Sequence, residues 1–88
     1  MDRPERKETE QVPIIAPLKV TDYKTINKRF GWWSAVVLLE SYGRKQICFY
    51  LWQKRADKWK RKQKFAIHSQ EDWELITNAV SNMINELT

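Results

Sequence analysis

The stretch from Lys45 to Ile67, KQICFYLWQKRADKWKRKQKFAI, predicts two β-strands joined by a short basic connection at residues 53–57. Apolar and aromatic residues fill both alternations of its first half, and lysines recur at every second position of its second half. Because successive side chains on a strand point to opposite faces, one alternation can form a core while the other shows cations and rings to solvent. Lysines on one face of a strand stand about 6.6 Å apart, which suits a row of phosphates beside stacked bases.

The strand before this hairpin is predicted at Trp32–Glu40 (WWSAVVLLE), a short run that is apolar on both alternations. Tyr42-Gly43 suits a two-residue hairpin loop, and that loop sets Leu38 opposite Ile47. The predicted core face carries Val36, Leu38, Ile47, Phe49 and Leu51, with Phe65 and Ile67 from the last strand. The predicted open face carries Trp33, Ala35, Val37, Leu39, Cys48, Tyr50 and Trp52. A one-residue bulge would exchange the sets of the first strand.

Basic residues concentrate in the same region. The formal net charge is +5, and residues 41–68 hold nine Lys or Arg side chains against Asp57 alone. A concentrated basic segment favours a polyanionic partner, whereas the alternative is a solvated strand face that keeps a sheet edge soluble. Residues 69–88 are acidic, with four carboxylates and no Lys or Arg.

The first thirty residues predict a tail followed by one further element. Residues 1–18 are charged and then rich in proline, and we expect a disordered or extended N-terminal tail. Its Val12–Ala16 patch has two alternatives, docking on the domain or docking on a partner. Lys19–Phe30 fits either a strand at Val20–Ile26, which we favour, or a helix with an apolar stripe.

A C-terminal helix is predicted after Ser69, a good N-cap, with Asp72 at the N3 position. Its apolar stripe is expected to cover the core face of the sheet, and its far end to pair with a second copy of the chain. The expected dimer interface is Val80, Met83, Ile84 and Leu87. These elements predict an α+β fold in a single domain at residues 19–88, with an antiparallel sheet of three to four strands and one helix packed on one face.

Composition disfavours several classes of protein. Paired carboxylates, a Cys–His pair and a Gly-rich phosphate loop do not occur, so we expect no enzyme, no metal site and no cofactor. Cys48 is the only cysteine, which excludes an internal disulfide and favours a reducing environment. No long apolar run and no signal-peptide core occur, so we expect an intracellular protein, cytoplasmic or in the nucleoid or nucleus.

The order of these features carries a resemblance. A Gly hairpin precedes KQICFYLW (Lys45–Trp52), a basic stretch follows, and KFAIHSQEDW (Lys64–Trp73) joins the last strand to the helix. From about Phe30 to Leu87 the chain resembles the positive-cofactor-four family of transcriptional coactivators, and it is similar to the archaeal ThermoDBP-like single-strand-binding proteins. The resemblance implies a curved antiparallel sheet with a helix on its back, two copies paired through their helices, and single-stranded DNA on the open sheet faces.

The resemblance also implies site residues. Tyr50 lies where family members place a strand residue on the open face, and Trp52 lies near their ligand-contacting aromatic residue. Lys58–Lys64 corresponds to their basic strand. The usual basic residues of the family's first strand are replaced here by Ala35, Val37 and Leu39, which makes the open face more apolar.

We therefore expect a sequence-tolerant single-stranded DNA-binding protein, with RNA as a further ligand. The rings expected to stack on bases are Trp33, Tyr50 and Trp52. The cations expected to neutralise phosphates are Lys54, Arg55, Lys58, Lys60, Lys62 and Lys64. Burying Trp52 would require a bulge beside Leu51, so we expect Trp52 to be exposed. The alternative is that Trp33 and Trp52 pack under the N-terminal segment.

A second hypothesis belongs to another class of protein. The chain would be a protein-interaction module or transcription cofactor, whose apolar open face docks a transcription or replication protein. The lysines would then only keep the sheet soluble.

Overall fold

A computed structural model describes residues 11–87, which form one antiparallel sheet and one helix. The elements are β1 (Lys19–Arg29), β2 (Trp32–Ser41), β3 (Arg44–Arg55), β4 (Lys58–Ile67), α1 (Gln70–Met83) and a 3₁₀ turn at Ile84–Leu87. The four strands lie side by side in chain order, β1-β2-β3-β4. This arrangement confirms the predicted α+β fold and its four-stranded form. Among the described residues, no helix has the length and apolar character that crossing a membrane requires.

Three two-residue loops connect the four strands. Both central residues have positive φ in each loop, as a type I′ turn requires, and such turns match the twist of paired strands. The loops are Phe30-Gly31, Tyr42-Gly43 and Ala56-Asp57. The second loop confirms the predicted register, with Leu38 opposite Ile47. The predicted connection at residues 53–57 is too long. A type I′ turn needs only two residues, and the other three, residues 53–55, belong to β3 and pair with β4.

The first strand is also longer than predicted. β1 continues past Ile26 to Arg29, which pairs with Trp32 across the loop. Its register shifts between Val20 and Asp22 and again between Thr25 and Asn27. These irregularities insert unpaired residues along an edge of the sheet, where bulges commonly occur.

The main core lies on one face of the sheet, and it is the face predicted to be open. We call this side face A. Its buried residues on β2 and β3 are Trp33, Ala35, Val37, Leu39, Cys48, Tyr50 and Trp52. We call the other side face B, which carries Val36, Leu38, Ile47, Phe49 and Leu51. The division into two residue sets is confirmed, but the assignment of face B as the core is wrong.

The N-terminal segment explains the inversion. Val12 is buried in the face A cluster, and Ile14 and Leu18 pack against it. Val20 and Tyr23 of β1 close the same side. Residues 12–18 therefore belong to the domain and supply the second layer of its core, which is the docking alternative left open by the sequence. The remainder of the predicted tail, residues 1–10, lies outside the described part of the chain.

The helix begins as predicted but does not cover the sheet. The Ser69 hydroxyl accepts a hydrogen bond from the Asp72 backbone N–H at 3.1 Å, which caps the first turn. Trp73 stands edge-on to Phe49 at 6.3 Å between ring centroids. The backbone of α1 approaches only β4 among the strands, and no residue of the helix is buried. The predicted C-terminal helix is confirmed, but its stripe does not cover the sheet as expected, because the stripe is exposed from Val80 onward.

The strained turns yield a prediction about stability. Ala56 has φ 50°, a left-handed conformation that disfavours a Cβ atom and that asparagine tolerates. Ala56→Asn should raise the free energy of unfolding by about 1 kcal/mol in urea denaturation. Gly43→Ala is the matched opposite, since an added Cβ there meets nothing within 4 Å and only the φ of 77° opposes it. It should lose about 1 kcal/mol. Equal stabilities of all three proteins would contradict the strain argument.

Candidate nucleic-acid interface

The three rings predicted to stack on bases lie inside the domain. Trp33, Tyr50 and Trp52 expose 0%, 4% and 1% of their surface. Tyr50 and Trp52 are stacked on each other, with ring centroids 4.9 Å apart and planes at 5°. The prediction that Trp52 is exposed is wrong, and the alternative is confirmed for Trp52, which lies beside Ile14 and Leu18 of the N-terminal segment. Trp33 is buried among Trp52, Trp59 and Lys28.

The buried indole of Trp33 has both a hydrogen-bond partner and close aromatic and cationic neighbours. The Trp33 indole N–H donates to the Thr25 hydroxyl at 3.0 Å. Trp59 meets Trp33 edge-on at 5.4 Å, and the Lys28 ammonium stands 3.8 Å from the Trp33 ring centroid. Satisfied donors and edge-to-face contacts are typical of a structural aromatic core. In this conformation the cluster stabilises the fold and is closed to a base.

Trp52 needed no bulge in β3 to be buried, because the face that it shares with Tyr50 is the core; the irregularity lies in β4. Leu51 pairs with Gln63 and Trp52 pairs with Arg61, so Lys62 is an extra residue on β4. β3 keeps its regular alternation through this point, and Trp52 stays on the same side as Tyr50. The alternation of β4 reverses instead.

That reversal divides the predicted row of cations between the two faces. The predicted cations on face B are Arg55, Lys58, Lys60 and Lys62. The predicted cations on face A are Lys54 and Lys64. Lys64 lies 5.6 Å from the Tyr50 ring and Lys54 lies 5.5 Å from the Trp59 ring, each at the rim of the aromatic core. The expectation that Lys64 continues a row with Lys58, Lys60 and Lys62 is therefore wrong.

Face B has exposed rings of its own, which the sequence analysis did not select. Trp32 is 40% exposed and pairs with Gln53, beside Lys60. Phe65 is 55% exposed and pairs with Phe49, with ring centroids 6.4 Å apart. Phe65 was expected in the core and is exposed, whereas Ile67, expected in the core of the same face, is buried beside the start of α1. The predicted register already placed both rings on this face. They were not selected because this face was predicted to be the core.

Two hollows lie on face B. One, of about 760 Å³, lies over Ile26, Leu51 and Phe65 and reaches Lys62. The other, of about 560 Å³, lies between the sheet and the start of α1, where Ile47 and Trp73 form its walls. Phe49 lines both hollows. Face B is thus apolar over these hollows, and its predicted phosphate-binding cations lie toward the end where β3 turns into β4.

The only thiol of the chain, that of Cys48, is buried. Burial raises the pKa of the Cys48 thiol, and the nearby Lys64 ammonium opposes this rise to a smaller extent. A buried neutral thiol is a poor nucleophile. Within residues 11–87, no group of three His, Cys, Asp or Glu side chains is placed to hold a metal ion.

The four residues expected at a dimer interface are all exposed in the single chain: Val80, Met83, Ile84 and Leu87. They lie on the part of the C-terminus that extends beyond the sheet. Their exposure leaves them available to a second copy.

Comparisons of this chain with protein-family models, with curated proteins and with solved structures found no match. The resemblance to the positive-cofactor-four family therefore stays a prediction. The case for a function depends on the geometry of face B.

The buried ring cluster predicts a large effect of truncating Trp52. Trp52→Ala should lower the free energy of unfolding by about 3–5 kcal/mol, because it leaves a cavity beneath Tyr50 and the N-terminal segment. Trp32→Ala removes the same side chain from face B and should cost under about 1 kcal/mol, as most surface changes do. Chemical denaturation of both variants tests this difference. Equal losses would place the two rings in equivalent surroundings and contradict the inversion of the faces.

Proposed function

We propose that this protein binds single-stranded nucleic acid on face B, with little preference for sequence and with DNA and RNA both as ligands. The observation that carries the proposal is the placement of exposed rings and a cluster of cations on one uncovered sheet face. Trp32 and Phe65 supply the rings. Arg55, Lys60 and Lys62 supply cations beside them.

The cations of face B are the groups that we propose to contact phosphates. Lys58 and Lys60 alternate on face B of β4, and Lys62 follows at the bulge. In residues 41–68 only Asp57 carries a negative charge, so nothing on these strands offsets the lysines. Cations in a row along an extended strand can follow a phosphate backbone, and each phosphate that is neutralised releases counterions.

The exposed rings of face B are the groups that we propose to stack on bases. Trp32 on β2 and Phe65 on β4 have β3 between them, and they lie in rows four residues apart, about 13 Å along the strand direction. Exposed rings cost free energy in water, and a base stacked on one of them contributes about 1–3 kcal/mol. Every base has a flat apolar face, so stacking of this kind tolerates any sequence.

We further propose that the role is binding and not catalysis. The one thiol is buried with a raised pKa, which makes it a poor nucleophile, and face B presents mainly lysines and apolar side chains. A single free cysteine fits a reducing compartment, the cytoplasm or the nucleoid or nucleus.

A second copy of the chain is the partner we propose for the helix. An isolated helix of 14 residues is marginal in water, and α1 buries none of its residues within one chain. Its exposed stripe continues the apolar groove below Trp73, so a partner helix would cover both. The alternative is that this groove docks a transcription or replication protein.

The nucleic-acid proposal predicts a change in salt dependence. Lys60→Ala with Lys62→Ala should weaken binding of labelled oligo-dT and reduce the slope of log K against log salt by about 1.4, from roughly 0.7 per phosphate. The matched control is Lys54→Ala with Lys64→Ala, which removes the same charge from face A. Its slope should stay close to that of the wild type. Equal effects of the two pairs would show that face B is not the contact surface, and no binding of oligo-dT by the wild type would refute the proposal.

The dimer proposal predicts that charge on the stripe separates the copies. Ile84→Lys with Leu87→Lys should give monomers in light scattering at tens of micromolar, or unfolded protein if the dimer is obligate. Asn78→Lys with Asn82→Lys adds the same charge to the opposite side of the helix, by the 100° turn per residue, and should remain dimeric. A wild-type monomer at that concentration would contradict the proposal.

A further inference from the structure

Phe30 combines two unfavourable features in one residue. It occupies the first position of the β1–β2 loop with φ 55°, a conformation that suits asparagine or glycine and opposes a bulky side chain. Its ring is 89% exposed, so burial does not compensate for the strained backbone. Residues held in sparsely populated conformations occur preferentially at functional sites.

Tyr42 provides an internal comparison at the opposite end of the sheet. It occupies the same position of the β2–β3 loop, with φ 54° and the same 89% exposure. A tyrosine hydroxyl is hydrated in water, whereas the phenylalanine ring has no polar group. The exposure of Tyr42 therefore needs no ligand to explain it, and the exposure of Phe30 does.

The surroundings of Phe30 connect it to face B. The Arg29 guanidinium carbon lies 5.9 Å from the centre of the Phe30 ring. Arg29 pairs across the hairpin with Trp32, so the two side chains share face B as close neighbours. An exposed ring, a cation and a second exposed ring thus follow one another at this end of the sheet.

A backbone contact places the same loop beside the other cationic hairpin. The Lys54 N–H donates to the Gly31 carbonyl oxygen at 2.8 Å. The β1–β2 loop and the β3–β4 loop consequently lie at the same end of the sheet. Arg55 and Lys58, which flank the β3–β4 loop on face B, face the same region of solvent as Arg29.

We propose that Phe30 is a nucleic-acid-contacting residue, a stacking platform for one unpaired base at the end of the face B surface. The inference rests on the proposed function and extends it to a loop. Arg29 neutralises the phosphate next to that base, and Trp32 receives the neighbouring base. The strained, exposed ring destabilises the free protein, and it contributes favourable free energy only when a nucleic-acid strand is bound.

Replacing the Phe30 ring distinguishes its effect on stability from its effect on nucleic-acid affinity. Phe30→Asn creates the Asn-Gly pair preferred in type I′ turns, so the melting temperature should rise by several degrees. The affinity for labelled oligo-dT should fall at least fivefold, the low end of one lost base stack. Phe30→Tyr keeps the ring and should keep the affinity within about twofold of the wild type. Tyr42→Asn is the matched control, which should gain similar stability with unchanged affinity.

Opposite signs of the stability and affinity changes at Phe30 would support the proposal. Unchanged affinity of Phe30→Asn, with the wild type binding oligo-dT, would overturn this inference alone. A wild type that binds no oligo-dT would refute the proposed function and this inference together. An exposed ring between cations also suits an anionic bilayer. The last measurement is therefore sedimentation of the wild type and of Phe30→Asn with phosphatidylserine vesicles. Vesicle binding that Phe30→Asn abolishes, with oligo-dT affinity intact, would assign the loop to a membrane and overturn the proposal.

Discussion

The contact between residues 12–18 and the stacked rings of Tyr50 and Trp52 decides the architecture of this domain. A four-stranded sheet that is apolar on both sides needs a second layer on at least one of them. The N-terminal segment supplies that layer on face A, where Val12 enters the ring cluster. Face B consequently stays uncovered in the single chain, and the surface available to a ligand is the side with Trp32 and Phe65.

One extra residue on an edge strand sets the charge pattern of that surface. Lys62 lies opposite no partner of its own, and the pairing of β4 passes from Gln63 to Arg61 across it. Without the bulge, Lys64 would share a face with Lys58 and Lys60. With it, Lys64 moves to the rim of the aromatic core near Tyr50, and the other three lysines remain together at one end of face B. The bulge therefore separates cations that pack against rings from cations that face solvent.

Face B divides into two regions of different chemistry. The end that carries Lys58 and Lys60 is cationic and bears the exposed Trp32 ring. The end beside Trp73 is an apolar groove below a helix that buries none of its residues. In the proposed function the nucleic acid occupies the first region and a second copy of the chain occupies the second.

Local features of the sequence determined the elements, and a non-local contact decided what they do. The strand positions, the Tyr42-Gly43 loop, the pairing of Leu38 with Ile47 and the Ser69 cap all follow from short-range steric and hydrogen-bonding preferences, and the structure has each of them. The choice of core face could not be read in this way, because β2 and β3 are apolar on both alternations and either side can be buried. Only the docking of residues 12–18, which lie more than thirty residues before Tyr50 and Trp52 in the chain, resolves that choice. The candidate rings changed for the same reason: the alternation of the strands groups Trp33 with Trp52 and separates them from Trp32, but tertiary structure alone decides which group meets water.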